Sequence, residues 1–134
     1  MDNQRTSNQK CAVIISSCDS YNDLWDPFFR LFFKYWPDCP FETYLIANNK
    51  EYPNNKISSI RVGEDRGWSD NIRTVLDKIN TPYILYLQDD YLLQDSVDTR
   101  HMLTLLKYMQ EKNVGCLRIF PQPGPDEEYD NNLG

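Results

Sequence analysis

The chain has 134 residues, 40% hydrophobic and 13% aromatic, with a formal net charge of −6. That length suits one hydrophobic core, and the acidic balance argues against a nucleic-acid-binding surface, which needs clustered Lys and Arg. No run approaches the ~20 apolar residues of a membrane span and the first ten residues hold no signal-peptide core, so the expectation is a soluble, cytoplasmic protein with a disordered segment at residues 1–10.

Residues 11–17 (CAVIISS) are apolar and rich in β-branched side chains, as in a strand buried on both faces, and the run ends in polar Ser17, Cys18 and Asp19. In the following NDLWDPFFRLFFKYWPD, apolar positions 24, 25, 28, 29, 32, 35 and 36 repeat at helical spacing. Asn22 or Asp23 is the expected cap, Pro27 fits an early turn, and Pro37 ends the helix. Its aromatic cluster, Trp25, Phe28, Phe29, Phe32, Phe33, Tyr35 and Trp36, is wider than one core stripe, so packing is its main reading and an interface the alternative.

Residues 41–47 (FETYLIA) predict a second strand and 57–62 (ISSIRV) a third, before Gly63. Trp68, Ile72, Val75, Leu76 and Ile79 then recur with the period of a one-faced helix. After Pro82, residues 83–88 (YILYLQ) predict a strand at the centre of the sheet, because both its faces are apolar. Asp95 or Ser96 can cap a third helix with the face Met102, Leu105, Leu106 and Met109, and residues 114–120 (VGCLRIF) predict a last strand. Residues 121–134 (PQPGPDEEYDNNLG) read as a polar tail. Cys11, Cys18, Cys39 and Cys116 show no CxxC spacing and read as reduced thiols.

The order β-α-β-β-α-β-α-β implies an α/β domain over residues 11–120, with a mainly parallel sheet and helices on both faces. Ligands of such sheets gather at the carboxyl ends of the strands. Asp19 follows the first strand, and Asp89 and Asp90 follow the fourth in YILYLQDDYLL, so all three fall on one edge. Oxygen ligands of this kind suit Mg²⁺ or Mn²⁺. Each has a plainer reading: Asp89 and Asp90 as a solvated turn, Asp19 as a turn into a helix, and Asp70 with Asn71 as first-turn residues favoured by the helix dipole. His101 reads as a surface residue.

With these residues placed, the chain resembles the nucleotide-binding half of GT-A glycosyltransferases, especially family 2-like enzymes that use nucleotide-diphosphate sugars. The resemblance covers roughly residues 11–120. It rests on the opening strand VIISS, on Gly67, Ser69 and Asn71 of RGWSDNIRTVLDKI where the family has G-x-S-x-x-x-N, and on YILYLQDDYLL where the family strand ends in D-x-D or E-D-D. The asparagine here comes two positions after the serine, Gln88 stands at the family's first carboxylate, and Asn48 and Asn49 stand where an acid often meets the base or ribose.

The resemblance implies a Rossmann-like GT-A fold and transfer of a sugar from a nucleotide-diphosphate donor to a glycan-type acceptor. It implies Mn²⁺ or Mg²⁺ at Asp90 and Asp89, and donor contacts from Ser17, Asp19, Arg66, Asp70, Asn71, Gln88 and Asp89. The family's general base lies well beyond the metal motif. Here only Asp126, Glu127 or Glu128 of the tail could supply it, so the alternative is a non-catalytic or truncated nucleotide-sugar-binding domain. Receiver domains also collect carboxylates around Mg²⁺, but they need an acidic pair after the first strand and a lysine after the last, and this chain has neither.

Overall fold

A computed structural model describes residues 10–119. The expectations for residues 1–9, for Phe120 and for the tail at 121–134, including Asp126, Glu127 and Glu128, lie outside the described residues. The chain divides into two compact units, one ending at Ser96 and one beginning at Val97.

The first unit is built on β1 (Cys11–Ser16), α1 (Trp25–Tyr35), β2 (Glu42–Ala47), β3 (Ile57–Arg61), α2 (Trp68–Lys78) and β4 (Tyr83–Gln88), with a short 3₁₀ segment at Asp19–Leu24 leading into α1. The four strands form one all-parallel sheet in the order β3-β2-β1-β4. This is an α/β architecture. Ile14 is opposite Tyr44 on one side and Tyr86 on the other, and Ser16 is opposite Gln88.

Side chains alternate between the faces of a strand, so Ile14, Ile46 and Ile60 share one face. They pack with Val75 of α2 into a buried cluster that Ile72 and Ile79 extend, which places α2 over that face. Val13, Ile15 and Leu45 are buried on the other. There the aromatic stripe of α1 supplies cover: Trp25, Phe28, Phe29 and Phe32 are buried, the Trp25 indole reaches Ser17, and Phe29 stacks on Tyr52, whose backbone N–H donates to Ser59. Phe28, Phe29, Phe32 and Trp36 meet edge-on, stacked or tilted at 5.2–6.4 Å, so packing accounts for the core of this aromatic cluster. Each fully buried aromatic ring contributes roughly 2–3 kcal/mol of transfer free energy.

Several local expectations change. Neither Asn22 nor Asp23 caps α1; the 3₁₀ segment runs straight into it, with Leu24 at the cap position and no side-chain hydrogen bond there. The preceding turns already occupy the backbone donors that a cap would serve. Among the described residues β4 is not central: it pairs only with β1 and lies at the end of the order β3-β2-β1-β4, with Ile84 37% exposed. Apolar faces report that a strand is covered above and below, whereas centrality needs a partner on each side, and residues 114–119 form no strand that could be one. Gly115 within them weakens strand pairing.

The second unit contains α3 (Thr99–Lys112). Its cap is Asp98 rather than Asp95 or Ser96: the Asp98 carboxylate accepts the backbone N–H of His101 at 3.1 Å. Asn113 ends the helix in the left-handed region at φ 53°, and the Val114 N–H donates to the Met109 carbonyl. His101 is exposed in the first turn. Among the described residues no helix is long and apolar enough to cross a membrane.

If α1 holds the sheet by its aromatic stripe, Phe32→Ala will cost about 3–5 kcal/mol in urea unfolding. Leu76→Ala, at a position 42% exposed, will cost under ~1 kcal/mol by the same measurement.

Candidate functional site

The connection from β1 leads to β2 on one side, and the connection from β3 crosses back to place β4 on the other. The order therefore reverses between β1 and β4, and an open parallel sheet has its natural crevice outside the carboxyl ends of those two strands. A cleft of about 450 Å³ lies there. Ser16, Ser17 and Cys18 enter it from β1, Gln88, Asp89 and Asp90 from β4, and Asp65, Trp68 and Asn71 from the start of α2.

Asp89 continues the ladder, its backbone N–H donating to the Ser16 carbonyl at 3.2 Å, and a turn closed by the Tyr91 N–H on the Gln88 carbonyl carries the chain away. Asp89 and Asp90 occupy the middle of that turn. The Ser17 hydroxyl donates to Asp89 Oδ2 at 2.5 Å and accepts the Trp25 indole N–H at 2.7 Å. A hydrogen-bond chain thus runs from α1 through β1 to β4 and fixes one carboxylate oxygen of Asp89. The Asp90 side chain is exposed at the cleft.

The wall made by α2 has its own logic. Asp65 Oδ1 accepts the Gly67 backbone N–H at 3.0 Å and the Asn71 side-chain N–H at 2.9 Å. Gly67 sits at φ +96°, ψ 163°, a conformation that L side chains rarely adopt, so glycine is required by the backbone and not by crowding. The first residues of α2 line the cleft and bring the positive end of the helix dipole to it.

The expected site residues therefore divide. Ser17, Asn71, Gln88, Asp89 and Asp90 come together in the cleft. Arg66 and Asp70 are exposed and do not line it. Asp19 does not line it either, because its carboxylate is taken up elsewhere: it accepts the backbone N–H groups of Asn48 at 2.9 Å, Asn49 at 3.0 Å and Lys50, while its own N–H donates to Asn48 Oδ1 at 2.8 Å. Asp19 is a clamp that ties the loop after β1 to the loop after β2. Asp65, Trp68, Tyr21 and Cys18 are cleft residues that motif reading passes over. For Asp65 a signal was present, since an Asp two residues before a glycine marks a side chain turning back on its own backbone.

No carboxyl cluster of metal-site form stands ready: among the described residues no group of three or more His, Cys, Asp or Glu is arranged to hold a metal ion. Among the described residues the cleft wall carries Asp65, Asp89 and Asp90 and no Lys or Arg. Comparison with family models, with curated proteins and with solved structures finds no match.

Solvation loss opposes ionisation of Asp19, but the amides of Asn49, Asn48 and Lys50, with the Lys50 charge, outweigh it and hold the carboxyl below its ordinary value. A carboxyl so depressed contributes stability above the unfolded-state pKa of about 4 and loses it as pH falls through the folded value. Asp19→Asn will therefore lower stability at pH 7 by about 1 kcal/mol, discounted for solvent screening. The gap from wild type will close below about pH 4, as read from urea midpoints across pH.

Proposed function

We propose that the cleft binds a nucleotide-diphosphate sugar together with Mn²⁺ or Mg²⁺, as the donor site of a glycosyltransferase. The observation that carries this reading is the meeting of Ser17, Gln88, Asp89 and Asp90 at the reversal between β1 and β4, with the amino end of α2 and Asn71 beside them.

The donor set fits a hard cation that is shared with its ligand. Asp89 keeps one oxygen free of the Ser17 bond, Asp90 adds its carboxylate, and Mg²⁺ commonly takes one or two carboxylates with phosphate oxygens and water completing the shell. Among the described residues the wall has three carboxylates and no cationic side chain, a surface that repels a bare diphosphate, so a cation would also help the anion to enter. When bound, the cation would stabilise negative charge on the diphosphate as the bond to the sugar breaks. The chain's own contributions are distinct: the Trp25–Ser17 pair orients Asp89, Asp65 shapes the Gly67 turn, and the amino end of α2 favours phosphate.

Transfer also requires that the acceptor hydroxyl lose its proton as its oxygen bonds to the sugar carbon. Of the three carboxylates that line the cleft among the described residues, Asp65 and Asp89 are engaged in hydrogen bonds and Asp90 is assigned to the cation. That allocation favours a second reading, a domain that binds the donor without rapid turnover.

Calorimetry with uridine and guanosine diphosphates will show binding that strengthens with Mn²⁺ or Mg²⁺, and Asp90→Ala will abolish the metal effect. No heat with any nucleotide, with or without metal, would refute the site. Release of nucleoside diphosphate from sugar donors with simple acceptors will separate the two readings, slow release supporting the binding domain.

A further inference from the structure

Trp68 is the first residue of α2 and is 59% exposed, whereas Trp25 and Trp36 are 4% and 2% exposed. A large apolar ring left in water usually swings freely, but this one is held. Its indole N–H donates to the Tyr86 hydroxyl at 2.7 Å, and the two rings meet edge-on with centroids 6.1 Å apart. The Gln88 side-chain N–H also points to the Tyr86 hydroxyl, at 3.4 Å. The indole is thereby tied through Tyr86 to β4, two residues before Gln88 and three before Asp89. It lines the same cleft as Asp65 and Asn71, whose Oδ2 carboxylate oxygen and side-chain carbonyl lie outside the bond between them and can accept from hydroxyl groups.

A rigid aromatic platform beside carboxylates and an amide is the surface a pyranose fits: its C–H face lies on the ring, whose π cloud is negative, and its hydroxyls bond to the polar groups at the rim. The geometry points to Trp68 as the platform for the sugar ring of the donor, an inference that rests on the donor site proposed above. The sugar is preferred to the base for a reason of connectivity. A cation at Asp89 and Asp90 holds the diphosphate, the sugar is bonded directly to that diphosphate, and the base is separated from it by the ribose. The ring that falls nearest to the carboxylate strand is therefore the sugar. Tyr86 is a positioning residue in this account, since it acts only through the indole.

The test compares uridine diphosphate with uridine-diphosphate glucose and uridine-diphosphate N-acetylglucosamine, and guanosine diphosphate with guanosine-diphosphate mannose, all with Mn²⁺. Titrations use calorimetry and tryptophan fluorescence, where the exposed Trp68 supplies the ligand-sensitive part of the signal. At least one sugar-bearing donor will bind about tenfold more tightly than its diphosphate and shift the emission. Trp68→Ala will remove that advantage and leave diphosphate affinity unchanged, Trp68→Phe will keep part of it, and Tyr86→Phe will reduce it about two- to threefold. Circular dichroism will show all three variants folded. Equal loss for donor and diphosphate in Trp68→Ala, or no donor advantage in the wild type, overturns the platform while leaving the donor site standing. Absence of all nucleotide binding overturns the site and the platform with it.

Discussion

The pairing of β1 with β2 on one side and β4 on the other sets the position of every group in the cleft. β1 is the one strand that lies where the chain's connections part in two directions, and its residues Ala12 to Ile15 are fully buried. Because both pairings are parallel, the three strands finish on the same edge. Ser17 and Asp89 therefore meet although 72 residues separate them in the chain. A one-residue slip in the β1–β4 register would turn Asp89 to the opposite face and break this contact, and such a slip is resisted by burial on both sides of β1.

Two further devices stiffen the edge. Asp19 clamps the loop after β1 to the loop after β2 through backbone amides, and Asp65 holds the Gly67 turn that starts α2. Both spend a carboxylate on the protein's own backbone, which leaves Asp90 and the free oxygen of Asp89 as the acidic groups open to a ligand on the β4 side. The aromatic stripe of α1 does more than fill the core, since Trp25 uses its indole N–H to orient the serine that orients Asp89.

Most of the fold is legible in the sequence because it depends on patterns within each segment. The period of Ile72, Val75 and Ile79 reports the buried face of α2, and the β-branched run at 13–15 reports a strand covered on both faces. Strand order and caps are different. That β4 lies at an edge depends on whether residues 114–119 pair with it, a long-range choice that the apolar run YILYLQ does not encode. The cap of α3 falls at Asp98 and not at the expected Asp95 or Ser96, residues of the same capping chemistry, and only backbone geometry selects among them.

The site shows the same division. Asp89, Asp90, Gln88 and Ser17 could be placed because a strand end is a position the sequence marks. Asp19 follows β1 in the sequence and so falls at its carboxyl end, yet its partners, the amides of residues 48–50, carry no side-chain signature at all. Trp68 opens the hydrophobic stripe of α2 in sequence but is exposed, since helical period alone cannot tell a ring facing the core from one standing at its rim.

The most direct test of the account is a cross-link between Ser17→Cys and Asp89→Cys, in a chain whose four native cysteines are replaced by alanine or serine. Neighbouring strands lie about 4.8 Å apart, within the span a disulfide bridges, and the two side chains already touch. Mild oxidation of the folded chain should join residues 17 and 89, and should not join Ser17→Cys to Ser59→Cys, which lies two strands away on β3. A folded chain in which 17 and 89 fail to join, or in which 17 joins 59 as readily, would contradict the strand order on which the cleft depends.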